Sequence, residues 1–447
     1  MTSPDAVVSA GKPDEPRKTD DQKKMGRVRW TILAWLLFAG ILNYMDRSSV
    51  SIAAPHMIEE LGLNKTDIGL MGTVFSWTYA VCQLPAGWII DKFGPRRVFA
   101  IAVGAWSIAT SLMAAGHNML HFLSFRFLLG IGESPNSPNC SKITTEWFPR
   151  SERGFATGIW DSGSKWGSAI APPVLTALSL TFGWRAMFLI VGLVGLVLAL
   201  CFWVFYRSPE NDKRLSDEEY RHILTGRDSA TDDDHPEVVI PWLSFFAHRQ
   251  TWGMMLGFFS SIWIWNIFIT FLPLFLQDTL GVSIASTGWV AAIPYIAGAI
   301  GGIFGGRVTM VLAQSGRKSP LQSKKQVLMV ACVLVGVLLL VVPNVHNLVG
   351  AIIVLCFALA LVAAIQSQSW ALTSDVVPDT HAARFGGIMN FGGYFGGALA
   401  PVVTGFIADQ TGSYTLAFYI AAVIAMLGAA FYGFLVKKPL VAIEEKA

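Results

Sequence analysis

Charge is what this sequence has least of. Only 14% of its 447 residues are Asp, Glu, Lys or Arg, against roughly 25% in soluble domains, while 53% are hydrophobic. A chain so short of charge cannot cover several soluble cores, and it needs lipid as its solvent. Its net charge of +3, from 33 basic and 30 acidic residues, is too small for nucleic-acid binding. Cysteine is scarce too. Cys82, Cys140, Cys201, Cys332 and Cys356 all fall in apolar stretches, odd in number and without CxxC spacing. That excludes a disulfide framework and a zinc site, and they read as small buried hydrophobes. The sequence also lacks a nucleophile–base constellation, a metal motif and a nucleotide loop, so neither an enzyme nor a cofactor or metal is expected.

Long apolar runs are abundant. A spanning helix needs about 20 mostly apolar residues, and twelve such stretches occur, at about 30–54, 70–90, 98–115, 120–141, 153–178, 184–206, 252–276, 288–312, 326–343, 347–373, 384–408 and 415–436. The first is no cleavable signal. It is too long, holds Asp46 and Arg47, and ends in no small-residue cleavage motif. With the N-terminus placed in the cytoplasm, 28 Lys and Arg residues fall on that side and two, Lys65 and Arg185, on the other. By the positive-inside rule both termini are cytoplasmic. The one long polar insertion, 207–250, splits the spans six and six. Within it, the segment from Ser216, with Glu219 three residues on, reads as a short capped amphipathic helix in a solvated linker on the membrane surface. The expected organisation is a disordered tail (1–28), a six-helix bundle (29–206), the linker, a second bundle (251–436) and a short tail (437–447).

The two bundles are internal copies. At an offset of 229, Gly158–Pro172 lies over Gly387–Pro401 with seven of fifteen residues identical, including the frame Gly158, Gly163, Gly167 and Pro172. The same offset puts Glu146 and Pro149 over Asp375 and Pro378, Asp161 over Asn390 and Lys165 over Tyr394. Duplicated halves related by an axis along the membrane normal build sites at the midplane.

After the second span comes Gly87-Trp-Ile-Ile-Asp91-Lys92-Phe-Gly94-Pro-Arg96-Arg97. This resembles the signature loop of the major facilitator superfamily, G-x-x-x-D-[RK]-x-G-x-[RK]-[RK]. Gly87 would admit a close neighbouring helix, and Asp91 would cap a helix end or pair across the bundle as a latch. The equivalent loop of the second half, Gly305 to Lys318, lacks the Asp, so symmetric gating is not expected. Three further features, Asn43-Tyr44-Met45-Asp46-Arg47, Arg126 with Gly130-Ile-Gly132-Glu133, and Trp147-Phe148-Pro149-Arg150-Ser151-Glu152-Arg153, are similar to the anion:cation symporter family. That family includes galactonate, glucarate, hexuronate, phthalate and sulfoacetate transporters. The resemblance covers residues 28 to 436. It implies an all-α fold of twelve membrane helices in two pseudo-symmetric halves, and a monomer in the bacterial inner membrane that moves a small organic anion.

Ionisable groups at the bilayer centre cost on the order of 3 kcal/mol or more, so they mark function. Here they are Asp46, Arg47, Arg126, Glu133, Asp161 and Lys165. Arg126 and Glu133 are two turns apart and share a face. Asp46 and Arg47 point about 100° apart, so Arg47 is assigned to the substrate, and Asp46 to a proton-coupling group with Arg126 and Glu133. An arginine beside these carboxylates favours protons over sodium. Asp161 and Lys165 stand at i,i+4, where opposite charges pair; alternatively, Lys165 reaches the cavity as a second cation. The resemblance implies further substrate contacts at Tyr44, Tyr79, Ser164, Ser367, Ser369, Trp370 and Asn390. Ser164 replaces the Gln of galactonate-type members. Two cations and a compact lining lead to a small dianion, a dicarboxylate or sulfoacetate, as the expected substrate, with an aldonate or hexuronate as the alternative and an uncoupled facilitator or exporter behind it.

Overall fold

The computed structural model describes residues 27–228, 242–314, 319–377, 379–438 and 440, and no strand occurs among them. Residues 1–26, with the disorder expected of the N-terminal tail, the acidic run 232–235 and the basic segment 315–318 lie outside the described residues. The first half contains α1 (Val28–Leu61), α2 (Lys65–Phe93), α3 (Pro95–Leu112), α4 (Met119–Glu133), α5 (Asn136–Trp147), α6 (Arg150–Phe182) and α7 (Trp184–Phe205). A linker helix, α8 (Asp217–Asp228), follows. The second half contains α9 (Arg249–Leu280), α10 (Ile284–Gln314), α11 (Pro320–Val341), α12 (Leu348–Val376), α13 (Asp379–Gly397), α14 (Leu399–Thr411) and α15 (Thr415–Leu435).

Among the described residues, nine segments are long and apolar enough to cross a bilayer by length and composition, against twelve expected. The other three rods, α2, α4 with α5, and α6, all belong to the first half, whose spans carry the polar and charged side chains. The single spans expected at 120–141 and 384–408 are each two helices. Pro135 breaks the first because its ring excludes a helical partner four residues back; the second breaks at Ala398, just before Pro401. Several rods also outrun the expected spans, α1 reaching 34 residues and α6 33.

The halves meet along α6 with α10, α2 with α13 and α14, and α1 with α9. The seal is tightest on the face away from the chain termini, here the distal face. Gly69 of α2 packs so closely on α14 that a Cβ there would lie 2.3 Å from the Pro401 carbonyl oxygen. Gly288 of α10 packs on α6 in the same way, with the Pro172 carbonyl at 2.8 Å. Pro172 and Pro401 are repeat equivalents, so the copies close this face with matched contacts. Charge reinforces it: Lys65 Nζ pairs with Asp278 at 2.6 Å, and Asp409 accepts from the backbone N–H groups of Lys65 and Thr66 at the start of α2.

Toward the termini face the packing loosens. A Cβ on Gly87, Gly158 or Gly387 would meet nothing within 4 Å, so the close neighbour expected of Gly87 is absent. Asp91 pairs with Lys142 of α5 at 2.9 Å, inside its own half, and among the described residues it forms no ion pair with the other half. Lys92 stacks over Trp88 and Phe93, Gly94 turns the chain at φ +81, Arg96 donates to the Trp203 carbonyl, and Arg97 is exposed.

The linker helix departs from a solvated linker. Ser216 caps it, accepting from Glu219 N at 3.2 Å. The Glu219 side chain, fully buried, accepts from the backbone N–H groups of Val28 and Arg29. It thereby satisfies orphan donors at the start of α1. Arg29 bridges to Glu152 of α6 at 3.2 Å, and His222 lies 2.9 Å from the other Glu152 oxygen. α8 is thus docked on the first half.

Candidate functional site

Four ionisable side chains meet inside the first half. Asp46 and Arg47 are adjacent on α1 and diverge as helical geometry requires, while α4 carries Arg126 and Glu133 two turns apart. Asp46, Arg126 and Glu133 are 3%, 3% and 0% exposed, too dry for unpaired charges. Arg47 Nε donates to Glu133 Oε2 at 2.8 Å. This differs from the expected division, in which Glu133 keeps company with Arg126 and Asp46 and leaves Arg47 to the substrate. Arg126 still lies within electrostatic reach of both carboxylates, but its Nε, Asp46 Oδ1 and Glu133 Oε1 are buried with no hydrogen-bond partner among the described residues. Asp46 faces Thr110 of α3, and Glu133 faces Asn43.

The Arg47 guanidinium is boxed by aromatic rings, with Tyr79, Tyr44 and Phe75 centroids at 4.7, 4.8 and 5.0 Å. Such faces attract a cation through their quadrupoles and leave it short of acceptors. Arg47 and Arg126 both line a small cavity between the halves, closed on the other side by Trp265 and Asn266 of α9 and Tyr394 of α13. At about 30 Å³ it has room for about two waters.

The second half reaches this box with neutral groups. Tyr394 lies 5.3 Å from the Tyr79 ring and lines the same cavity as Arg47. Asn390 Nδ2 donates to Gln83 Oε1 at 2.7 Å, and Gln83 Nε2 donates to the Tyr79 hydroxyl at 3.3 Å. A chain of polar contacts therefore runs from Asn390 through Gln83 and Tyr79 to Arg47 and Glu133.

Lys165 does not pair with Asp161. Its ammonium contacts Ser164 Oγ at 3.1 Å and stands 5.8 Å from the Trp265 ring across the interface. Asp161 is exposed, and Ser164 donates to its backbone carbonyl at 2.7 Å. Trp370 is 46% exposed and stands edge-on to Phe258 at 6.3 Å, while Ser367 is exposed on α12. Ser369 lies apart from these groups. It is buried against α15, 2.7 Å from the Tyr432 hydroxyl and 2.6 Å from the Ile365 carbonyl.

Sequence reasoning missed Gln83, Phe75, Trp265, Asn266 and Tyr394. Two signals pointed to some of them: Gln83 lies one turn beyond Tyr79, and the repeat superposes Tyr394 on Lys165.

The chain matches the sequence profile of the Major Facilitator Superfamily over residues 36–314 and 320–446. It is 34% identical over 417 residues to a probable L-galactonate transporter of Escherichia coli (strain K12), covering 93% of this chain and 91% of the relative. To a probable sulfoacetate transporter of Cupriavidus necator it is 31% identical over 426 residues, covering 94% and 96%. The fold is similar to that of a bacterial homologue of the human lysosomal transporter Spinster, with a TM-score of 0.73, 20% identity, and 92% and 97% of the two chains covered. It is also similar to that of a D-xylose–proton symporter, at 0.69, 16%, 92% and 98%. Transport, not catalysis, is what such a family does, and the all-α architecture and buried inter-half cavity agree with it. This chain belongs to the Major Facilitator Superfamily, on its anion:cation symporter branch.

Proposed function

We propose that this protein carries a small organic anion into the cell together with a proton, by alternating access of the cavity between residues 29–206 and 251–436. The observation that carries the reading is the 2.8 Å bond between Arg47 and Glu133 at the wall of that cavity. Arg47 is held by one carboxylate of its own protein, and a substrate carboxylate or sulfonate needs the same guanidinium. A proton on Glu133 neutralises that carboxylate and releases Arg47 to the anion. Loss of the proton returns Arg47 to Glu133 and expels the anion. Anion and proton then travel together because either alone leaves a buried charge unmatched. Asp46, within electrostatic reach of Arg126 behind this pair, is the second proton site.

With both termini cytoplasmic, as the 28-to-2 distribution of basic residues supports, the loosely packed termini face opens inward. The open space around Gly87, Gly158 and Gly387 is where helices would pack closely when the protein turns outward. The protein acts as a monomer in the inner membrane, since one chain contains both walls of the site.

The favoured substrate is a compact dianion. Lys165, free of Asp161 and directed at Trp265, adds a second cation at the interface, and a relative 31% identical is a probable sulfoacetate transporter. The relative at 34% is a probable L-galactonate transporter, which keeps a monoanionic sugar acid as the second reading. The test is uptake into proteoliposomes of labelled sulfoacetate, a short dicarboxylate, galactonate and a hexuronate, with and without an inwardly directed proton gradient. Accumulation above equilibrium only with the gradient, strongest for the dianions, is expected. Equal uptake without the gradient would leave an uncoupled facilitator.

A further inference from the structure

The C-terminal end of α7 gathers arginines far from the transport cavity. The carbonyl of Trp203 accepts from Arg96 at 2.6 Å, those of Val204 and Tyr206 from Arg207 at 2.7 and 2.8 Å, and that of Phe205 from Arg214 at 2.7 Å. Cations suit a helix C-terminus, whose last carbonyls carry partial negative charge. One would suffice; three converge on four consecutive carbonyls. Asp212 bonds to one of them, taking Arg214 at 2.6 Å. Burial opposes ionisation of Asp212, but the bonds from Arg214 outweigh it and hold the carboxyl below the ordinary range.

Beside this end, between α7 and the start of α1, lies a cleft of about 400 Å³. Ile32, Trp35, Phe202 and Phe205 wall it, and Arg27 and Arg214 stand at its mouth. The Trp35 and Phe205 rings are 6.4 Å apart, and Phe205 remains 54% exposed. Arg27 is exposed, and the Arg214 side chain is 48% exposed. Both helices are membrane-crossing by length and composition, so the cleft opens where the apolar rod meets the polar face. It offers an apolar slot and a cationic rim at one depth.

We propose that this cleft binds an anionic phospholipid, its phosphate between Arg27 and Arg214 and its acyl chains along Trp35, Phe202 and Phe205. Charge complementarity selects this occupant. A zwitterionic lipid brings its own cation to a rim that carries the guanidinium groups of Arg27 and Arg214, and a free phosphate leaves the aromatic walls uncovered. Basic pockets between membrane helices on the cytoplasmic side are suited to acidic headgroups. Because α8 is anchored beside the start of α1 through Glu219 and Arg29, an occupied cleft would also brace the linker against the first half.

The experiment is native mass spectrometry of the purified full-length protein, titrated with phosphatidylglycerol, with phosphatidylcholine of the same chains, and with phosphatidylglycerol plus inorganic phosphate. Wild type should retain phosphatidylglycerol in preference to phosphatidylcholine, undisplaced by phosphate. Arg27→Gln should weaken that retention about fivefold, the effect of one arginine at an anionic surface. Thr31→Trp, which fills the cleft, should remove the bound lipid while thermal unfolding shows the protein folded. Equal retention of the two lipids, displacement by phosphate, or unchanged retention in folded Thr31→Trp would each overturn the proposal.

Discussion

The two halves share a frame and differ in chemistry. In the first, α1, α4 and α6 carry Asp46, Arg47, Arg126, Glu133, Asp161 and Lys165. The second meets them with Asn266, Asn390, Trp265 and Tyr394. The repeat makes the contrast local: Asp161 superposes on Asn390, and Lys165 on Tyr394. In the structure both members of each superposed pair lie near the interface, yet the first half brings charge there and the second brings neutral donors and rings. Where the halves only need to close, at Gly69 with Pro401 and Gly288 with Pro172, they are alike. Duplication supplied a symmetric seal, and the charge was concentrated on one side.

The largest effect should come from the charged side. Arg47→Ala leaves Glu133 buried and unpaired and removes the counter-charge of the anion. Breaking such a pair costs about 3–5 kcal/mol, so anion binding, read by calorimetry on folded protein, should fall by more than about 100-fold. Normal binding would remove Arg47 from the site. Next are the shared seals. Gly69→Leu and Gly288→Leu each drive a side chain into backbone of the opposite half, and overpacking of this kind costs about 1–3 kcal/mol. Both should exclude the distally closed state and reduce transport to a similar degree. A large loss in one and none in the other would break the symmetry argued here.

Smaller effects test the fine structure of the contrast. Lys165→Gln should weaken competition by unlabelled dianions about tenfold, as expected for one charge-assisted bond, and leave sugar monoacids nearly unchanged. If monoacids compete best and the variant changes nothing, Lys165 has no part in substrate choice. Gln83→Ala cuts the neutral link from Asn390 to Tyr79 and should cost no more than about fivefold in apparent affinity.

Much of this was legible from residue order alone, because bilayers impose simple rules. Apolar length set the rods, lysine and arginine counts set an expected orientation, and an offset of 229 exposed the duplication. What escaped depends on side-chain rotation and on contacts between distant segments. Ser369 reads as a cavity residue until the turn of α12 points it at Tyr432. Asp161 and Lys165 satisfy the i,i+4 rule, but Trp265, a hundred residues further on, draws Lys165 across the interface. Asp91 reads as a cross-bundle latch, yet Lys142 of its own half is nearer. Glu219 looks like a cap for its own helix and instead caps α1. No periodicity reports such long-range choices.

The central claim is that Arg47 is shared between Glu133 and the transported anion, so that a proton on Glu133 decides which one holds it. Glu133→Gln makes the neutral form permanent. In proteoliposomes this variant should still exchange labelled for unlabelled anion across the membrane, since Arg47 stays available to substrate. It should no longer accumulate anion when a proton gradient is imposed. Undiminished proton-driven accumulation in Glu133→Gln would contradict the account.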